Sequence, residues 1–194
     1  MGKAKSRTAT TIGFMSLFAI IILLFYYYWA NRTDPSEDAS TINLSETEKI
    51  LNVDLKTNYP DTPREVVKLF GRIMKDLYDN PKEEDVSPLS MKIRELYDDE
   101  FLKNNPEEDY LVNLKTDIAQ WKVKDRRITN YLLVNETLEE ENEVDGVKYS
   151  VNYISYTIQE NVKFTETWKV LLRRDVNKKW KILGWEYVPE ATSK

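Results

Sequence analysis

A long apolar run near the start of the chain limits what this protein can be. Residues 12–30 are 19 consecutive residues without a charged side chain, and they end in the aromatic cluster Tyr26, Tyr27, Tyr28 and Trp29. As an α-helix rising about 1.5 Å per residue, the run would be roughly 28 Å long, close to the ~30 Å hydrocarbon core of a bilayer. Tyr and Trp collect where such a helix meets the headgroups. The run therefore predicts one transmembrane helix.

The charges on either side of the run predict its orientation. Residues 1–11 carry three basic and no acidic side chains, whereas residues 31–43 carry Arg32 and three acidic ones. Because basic residues favour the cytoplasmic side, the N-terminus is predicted in the cytoplasm and the C-terminal region outside the cell membrane. A cleaved signal peptide is the alternative. It needs small residues three and one positions before the cut, and Tyr28 with Ala30 fits poorly, so we expect an uncleaved single-pass anchor.

Composition excludes several kinds of active site. The chain has no cysteine and no histidine, which removes disulfides, thiol nucleophiles, imidazole bases and zinc sites built on either residue. Its five glycines lie too far apart for a phosphate-cradling loop, and we predict no cofactor and no metal. Residues 31–194 hold 25 Lys and Arg against 33 Asp and Glu, a net charge of −8. A surface of this sign argues against nucleic acid as a partner.

The chain divides by composition into five parts. Residues 1–11 are the predicted cytoplasmic end, followed by the membrane helix at 12–30. Residues 31–43 are polar and include a proline, which predicts a flexible tether. Residues 44–189 are long enough for one extracytoplasmic domain with its own core, and residues 190–194 form a short tail.

Capping signals place helices in the first half of the domain. Ser45 and Glu48 have the spacing of a capping box, and so do Thr62 and Glu65. Apolar side chains then recur at helical spacing in Val66, Leu69, Phe70, Ile73, Met74, Leu77 and Tyr78. Prolines interpreted as first helical residues are Pro63, Pro88 and Pro106. We expect about three main helices, each with one apolar face.

The second half of the domain has the alternating pattern of strands. Asp145-Gly146 is typical of a two-residue hairpin turn, and two further strands follow, the last bending near Gly184. Helices followed by strands predict an α+β domain, with about three helices packed on a curved antiparallel sheet of about four strands.

One of these strands shows a change of phase. Its apolar residues first fall at Tyr149, Val151 and Tyr153 and then at Ile154, one position out of step. An extra residue in one strand of a pair produces such a shift, so the sequence predicts a β-bulge here. On this interpretation Tyr149 and Tyr153 share the apolar face of the sheet.

The closing strands resemble a known fold. Residues 168–173 (WKVLLR) and 180–185 (WKILGW), coming after the helices, are similar to the nuclear-transport-factor-2-like (cystatin-like) fold. Residues 58–75, 105–122 and 178–186, behind one membrane anchor, resemble a family of uncharacterised single-pass membrane proteins of Gram-positive gut bacteria. The resemblance implies a cone-shaped extracytoplasmic domain but transfers no catalytic or binding residue. Because the wider fold includes both isomerases and anchored subunits of secretion machines, it does not select a function.

Glu166 is the strongest candidate for chemistry. It lies in phase with the apolar residues of its strand, and a carboxylate inside an apolar cavity is suited to acid or base catalysis. The aromatic residues that could line a pocket with it are Tyr149, Tyr153, Phe164, Trp168 and Trp185. Plainer interpretations stay open: Glu166 reaches solvent at the edge of the sheet or pairs with a Lys or Arg, and the aromatic side chains are core.

The acidic clusters are better explained without a metal. Glu141, Glu143 and Asp145 resemble the start of a calcium loop, but Asn152 stands where a bidentate Glu is required. We interpret residues 139–143 as a solvated hairpin tip that discourages edge-to-edge pairing, with a weak divalent-ion contact as the alternative.

These patterns predict a membrane-anchored extracytoplasmic binding or assembly module without catalytic activity. Its partners would be the membrane, through residues 12–30, and another envelope protein or a small ligand. One alternative is a small-ligand carrier or isomerase-like enzyme that uses the cone cavity, with Glu166 as its acid or base. Another is a structural envelope subunit that associates with itself.

Overall fold

The computed structural model describes residues 44–134 and 140–189. Within these ranges the helices are α1 (Glu46–Leu51), α2 (Pro63–Tyr78), α3 (Glu83–Arg94), α4 (Asp99–Asn104) and α5 (Glu107–Val123). The strands are β1 (Arg127–Leu133), β2 (Glu140–Val144), β3 (Val147–Gln159), β4 (Lys163–Arg174) and β5 (Trp180–Val188). The chain is therefore α+β, as the sequence predicts, with more and shorter elements than expected.

The predicted membrane helix, residues 12–30, and the tether, residues 31–43, lie outside the described residues. Across 44–134 and 140–189, no helix combines the length and the apolar character needed to cross a membrane.

Both predicted capping boxes are present. At the start of α1, the Ser45 hydroxyl accepts from the Glu48 amide at 3.2 Å, and Glu48 accepts from the Ser45 amide at 2.7 Å. Thr62 and Glu65 make the same reciprocal pair at the start of α2. Each box satisfies amides that lack partners in the first helical turn, so these helix starts follow from local sequence.

The predicted helix start at Pro88 is wrong. Helix α3 begins at Glu83, five residues earlier, and Pro88 lies inside it. Three acidic residues, Glu83, Glu84 and Asp85, occupy the first turn, where negative charge complements the helix dipole. Near a helix start a proline removes one hydrogen bond without ending the helix. Pro106 is likewise displaced by one position, because it is the N-cap of α5.

The strands form one antiparallel sheet in the order β1-β3-β4-β5, and β2 pairs with β3 beyond the end of β1. The hairpin predicted at Asp145-Gly146 joins β2 to β3, with φ of 52° and 77° at the two residues. Positive φ at both positions identifies the type I′ turn, which matches the twist of paired strands.

The predicted β-bulge at Ile154 is wrong. Strand β3 pairs with β4 without interruption from Tyr149 to Gln159, and every even-numbered residue from Ser150 to Ile158 is buried. The inward residues at the start of β3 are polar, and the Asn152 amide donates to the Ser150 hydroxyl at 2.9 Å. The apolar pattern shifts because the side chains change character, while the strand keeps its phase.

The bulges lie elsewhere in the sheet. One is in β1 between Ile128 and Asn130, and the other is in β5, where the pairing with β4 skips Leu183. The second confirms the bend predicted near Gly184. It keeps Trp185 on the same side of the sheet as Ile182 although the two are three residues apart.

The core lies between the helices and one face of the sheet. Helix α2 packs its apolar stripe on β1, β3 and β5, and the stripe is almost entirely buried, as its spacing predicts. Gly71 allows this close approach, because a Cβ atom there would lie 2.3 Å from Ile154 Cδ1. The opposite face of the sheet, called here the outer face, carries Tyr149, Val151, Tyr153, Lys169 and Leu171.

Candidate functional site

Glu166 lies on the helix side of β4 and forms an ion pair. Arg126 donates from Nη2 to its Oε1 at 2.7 Å, and the two side chains are 22% and 21% exposed. The guanidinium also stacks over the Trp121 ring, 4.2 Å from its centroid, and lies 5.4 Å from the centroid of Phe164. Of the open interpretations, pairing with an arginine is the one seen. Arg126 thus holds one oxygen of this carboxylate, Oε1, in an ion pair.

Arg126 was not identified from the sequence. It comes after α5, beyond Lys124 and Asp125, and no local pattern connects it to a carboxylate on a strand 40 residues further along the chain. The only sequence signal is its place shortly after Trp121, near the end of a predicted helix.

Aromatic side chains fill the space between the helices and the sheet. Trp168 meets Tyr156 edge to face at a centroid distance of 5.0 Å. Trp185 packs against Phe70 at 5.1 Å, Phe101 at 5.2 Å and Tyr97 at 5.6 Å. Such ring contacts are worth about 0.5–1.5 kcal/mol each beyond area burial. Trp168 and Trp185 therefore pack against the core on the helix side of the sheet, where the predicted cavity would lie.

Two tyrosine hydroxyls inside this core are protonated. Burial raises the pKa of Tyr97 and of Tyr156 well above the usual value for tyrosine. The Tyr97 and Tyr110 hydroxyls lie 2.9 Å apart and share a hydrogen bond. The Tyr156 hydroxyl has no hydrogen-bond partner among the described residues. Both hydroxyls therefore keep their protons at neutral pH and do not act as bases there.

The orphaned hydroxyl of Tyr156 leads to a stability prediction. Tyr156→Phe removes a buried donor without a partner, so the free energy of unfolding is expected to rise by about 1 kcal/mol. Tyr97→Phe is the matched control. It breaks the bond to Tyr110 and should lower stability by about 1 kcal/mol. Urea denaturation of the two variants measures both effects, and a Tyr156→Phe variant less stable than the parent would contradict the assignment.

The structure separates the predicted pocket residues. Glu166, Phe164, Trp168 and Trp185 face the helices, whereas Tyr149 and Tyr153 lie on the outer face. This follows from the unbroken phase of β3, which turns odd-numbered residues away from the core. The six residues do not surround one common space.

The outer face contains a shallow apolar depression. It has a volume of about 280 Å³ and is lined by Val151, Lys169, Leu171, Gly184, Trp185 and Glu186. Lys169 Nζ lies 3.3 Å from Glu186 Oε1 at its rim. Leu171 stands opposite Val151 across the β3–β4 pair, and Lys169 stands opposite Tyr153. The tyrosines and aliphatic side chains of the outer face thus form one half-exposed patch with a charged border.

An ion pair between the buried Asp98 and the partly exposed Arg173 lies at one end of this patch. Asp98, whose side chain is 5% exposed, accepts from Arg173 at both carboxylate oxygens, with Arg173 Nε 3.0 Å from Oδ2. Arg173 Nη1 also donates to Glu100 at 3.0 Å. The bonds to Asp98 raise the pKa of Arg173, which stays charged at every accessible pH. Asp98 additionally accepts from the Glu100 amide at the start of α4.

The predicted hairpin tip at residues 139–143 is wrong, because residues 140–144 form strand β2 and the tip is Asp145-Gly146. Residue 139 lies outside the described residues. Glu141 and Glu143 are exposed, as expected of a solvated acidic segment. Among the described residues, no group of acidic side chains is arranged to hold a metal ion.

The chain matches a protein family of undetermined function. The sequence profile of a family described as a domain of unknown function (DUF6715) matches residues 1–185. No curated protein matches the sequence.

Proposed function

We propose that this chain, which belongs to the DUF6715 family, is a membrane-anchored binding or assembly module that acts outside the cytoplasm. Residues 12–30 anchor the chain in the membrane, and residues 31–43 form a flexible tether between the membrane and the domain. The described α+β domain supports a cone fold of the nuclear-transport-factor-2-like type, with the helices on the inside of the curved sheet. The domain then presents its outer face to another envelope protein.

The observation that carries this proposal is the partly exposed outer face. Tyr149, Val151, Tyr153 and Leu171 are partly exposed there, on the side of the sheet turned away from the buried residues of β3 and β4. Contiguous apolar patches with a polar rim are uncommon on proteins that work alone, and tyrosine is enriched at protein interfaces. A partner that covered the patch would bury both tyrosine rings while their hydroxyls stayed near water.

The carrier or isomerase alternative has less support. Its cavity would lie between the helices and the sheet, where Tyr156 packs against Trp168 and Tyr97 packs against Trp185. Its proposed acid or base, Glu166, is bound to Arg126. The binding module requires neither an open cavity nor a free carboxylate.

The test places a charge in the centre of the outer face. Leu171→Glu would put a carboxylate in the interface, and it is expected to reduce the yield of a crosslinked complex by roughly tenfold or more. The full chain is crosslinked in the cells that express it, and the yield is measured relative to the uncrosslinked chain. Val176→Glu is the control, because Val176 is 97% exposed in the β4–β5 turn, away from the patch.

The outcomes separate the candidate functions. A complex that forms equally well with Leu171→Glu would refute the outer face as the binding surface. An adduct of twice the chain mass that is lost in Leu171→Glu would select the self-associating subunit. A chain that is recovered alone with a small molecule would support the carrier.

A further inference from the structure

A polar pocket lies where the turn between β4 and β5 meets the loop between α1 and α2. It has a volume of about 430 Å³, within the range of small-molecule sites. Tyr59 joins the two segments, because its hydroxyl donates to the Trp180 carbonyl at 2.7 Å. Four basic residues contribute to the lining of this pocket, namely Lys56, Arg174, Lys178 and Lys179.

The four cations are not used by the fold as ion pairs. None of them lies within ion-pair distance of a carboxylate among the described residues. Arg174 donates from Nε to the Lys178 carbonyl at 3.1 Å, and its two Nη groups form no hydrogen bond with another described residue. Arg174 and Lys179 are also partly buried. A partly buried cation without a counter-ion is costly, so the pocket favours an anion.

Two ammonium groups share one aromatic ring beside the pocket. Lys179 Nζ lies 4.8 Å and Lys181 Nζ 4.5 Å from the centroid of Tyr59. Burial lowers the pKa of Lys181, and the charge of Lys179 lowers it further, although Asp175 opposes both effects. A negative charge bound near the two ammonium groups would offset their repulsion.

Carboxylates near the pocket leave an excess of positive charge. Asp61 lines the pocket, and Asp175 accepts from the Asn177 and Lys179 amides at 2.8 Å each. Both keep their negative charge. The segments that form the pocket, residues 54–61 and 174–181, together hold five basic and three acidic side chains. Residues 31–194 as a whole have a net charge of −8, so the pocket departs from the character of the chain.

We propose that this pocket binds a phosphate group, carried by a soluble phosphate ester or by an anionic lipid headgroup. A phosphate presents several acceptor oxygens to Arg and Lys at once, and such charge-assisted hydrogen bonds are among the strongest in proteins. The ring of Tyr59 offers an apolar wall to the carbon atoms of the ester. This inference goes beyond the proposed function, because the pocket shares no lining residue with the depression on the outer face.

The experiment follows phosphate probes by phosphorus-31 NMR with the full chain in dodecyl maltoside, a detergent without phosphorus. The probes are inorganic phosphate, glycerol 3-phosphate and the short-chain lipid dihexanoyl phosphatidylglycerol, each titrated at constant ionic strength. Line broadening by the chain gives the dissociation constant. Sodium acetate is added as a competitor, to distinguish a phosphate site from a site for any small anion.

At least one probe is expected to bind, and Lys179→Gln should weaken its binding about tenfold, since it removes one charge-assisted hydrogen bond. Lys56→Gln changes an exposed cation in the other segment, so it tests the pocket without touching the Tyr59 contacts, and it should weaken binding about threefold or more. Lys115→Gln, at an exposed position of α5, should leave binding unchanged. Raising the salt should weaken binding.

Three results would overturn the proposal: no binding of any probe, equal binding by the Lys179→Gln and Lys56→Gln chains, or displacement by an equal concentration of acetate. Binding of the lipid alone, lost in Lys179→Gln, would identify a headgroup as the ligand. Binding of glycerol 3-phosphate or inorganic phosphate would identify a soluble ligand. The Leu171→Glu chain should bind the probes normally, so a failure at the pocket is distinguishable from a failure at the outer face.

Discussion

Replacing Arg173 by methionine is expected to lower the free energy of unfolding by about 3–5 kcal/mol, the cost of leaving a buried carboxylate without its partner. Asp98 is 5% exposed and both of its oxygens accept from Arg173. Methionine keeps most of the side-chain volume, so the loss reports the charge and its hydrogen bonds. Urea denaturation monitored by tryptophan fluorescence measures the change.

Two further variants make this result specific. Lys169→Met removes an exposed pair with Glu186 from the same strand and is expected to cost less than about 1 kcal/mol. Asp98→Asn combined with Arg173→Met removes the buried charge but keeps an oxygen that can accept from the Glu100 amide, so it should recover at least half of the lost stability. An Arg173→Met variant as stable as Lys169→Met would show that the pair does not support the fold.

Truncating Trp185 to alanine is expected to cost about 3 kcal/mol, because the indole fills space among three other rings. Phe70, Tyr97 and Phe101 all lie within 5.6 Å of it, centroid to centroid, and they come from α2, α4 and the segment between α3 and α4. Removing the indole therefore loosens three elements from β5 at once. The midpoint and slope of urea denaturation distinguish a loss of stability from a change of compactness.

The control for this change is on the same strand. Tyr187 is 55% exposed, and Tyr187→Ala should change stability by no more than about 0.5 kcal/mol. Trp185→Phe keeps a ring in place and should lose less than half as much as alanine. If Trp185→Ala kept full stability, Trp185 would be lining an accommodating cavity, as the carrier alternative requires.

These predictions distinguish the packed side of the domain from the side that is accessible to a partner. The helix side of the sheet is occupied by its own aromatic side chains and by the Arg126–Glu166 pair. The outer face carries the partly exposed Tyr153, and Leu132 on β1 is exposed. The proposed function uses the outer face.

Short-range features of the structure are determined by the sequence alone. The capping boxes at Ser45 and Thr62 connect residues three positions apart, and the hairpin at Asp145-Gly146 needs only two residues that accept positive φ. The alternation along β4 correctly places Glu166 on the same face as Val170. These features are predictable because the backbone periods that create them repeat within a few residues.

The tertiary structure alone decided the rest, because its determinants lie far apart in the chain. The pairing of β3 with β4 determines which residues of β3 face inward. It buries Ser150 and Asn152, although their polar side chains alone would favour the solvent-exposed face. The partner of Glu166 comes from 40 residues away, and that of Asp98 from 75. A local pattern shows which side chains could face inward, but only the assembled sheet and helices determine which charges meet and which face of the sheet stays exposed.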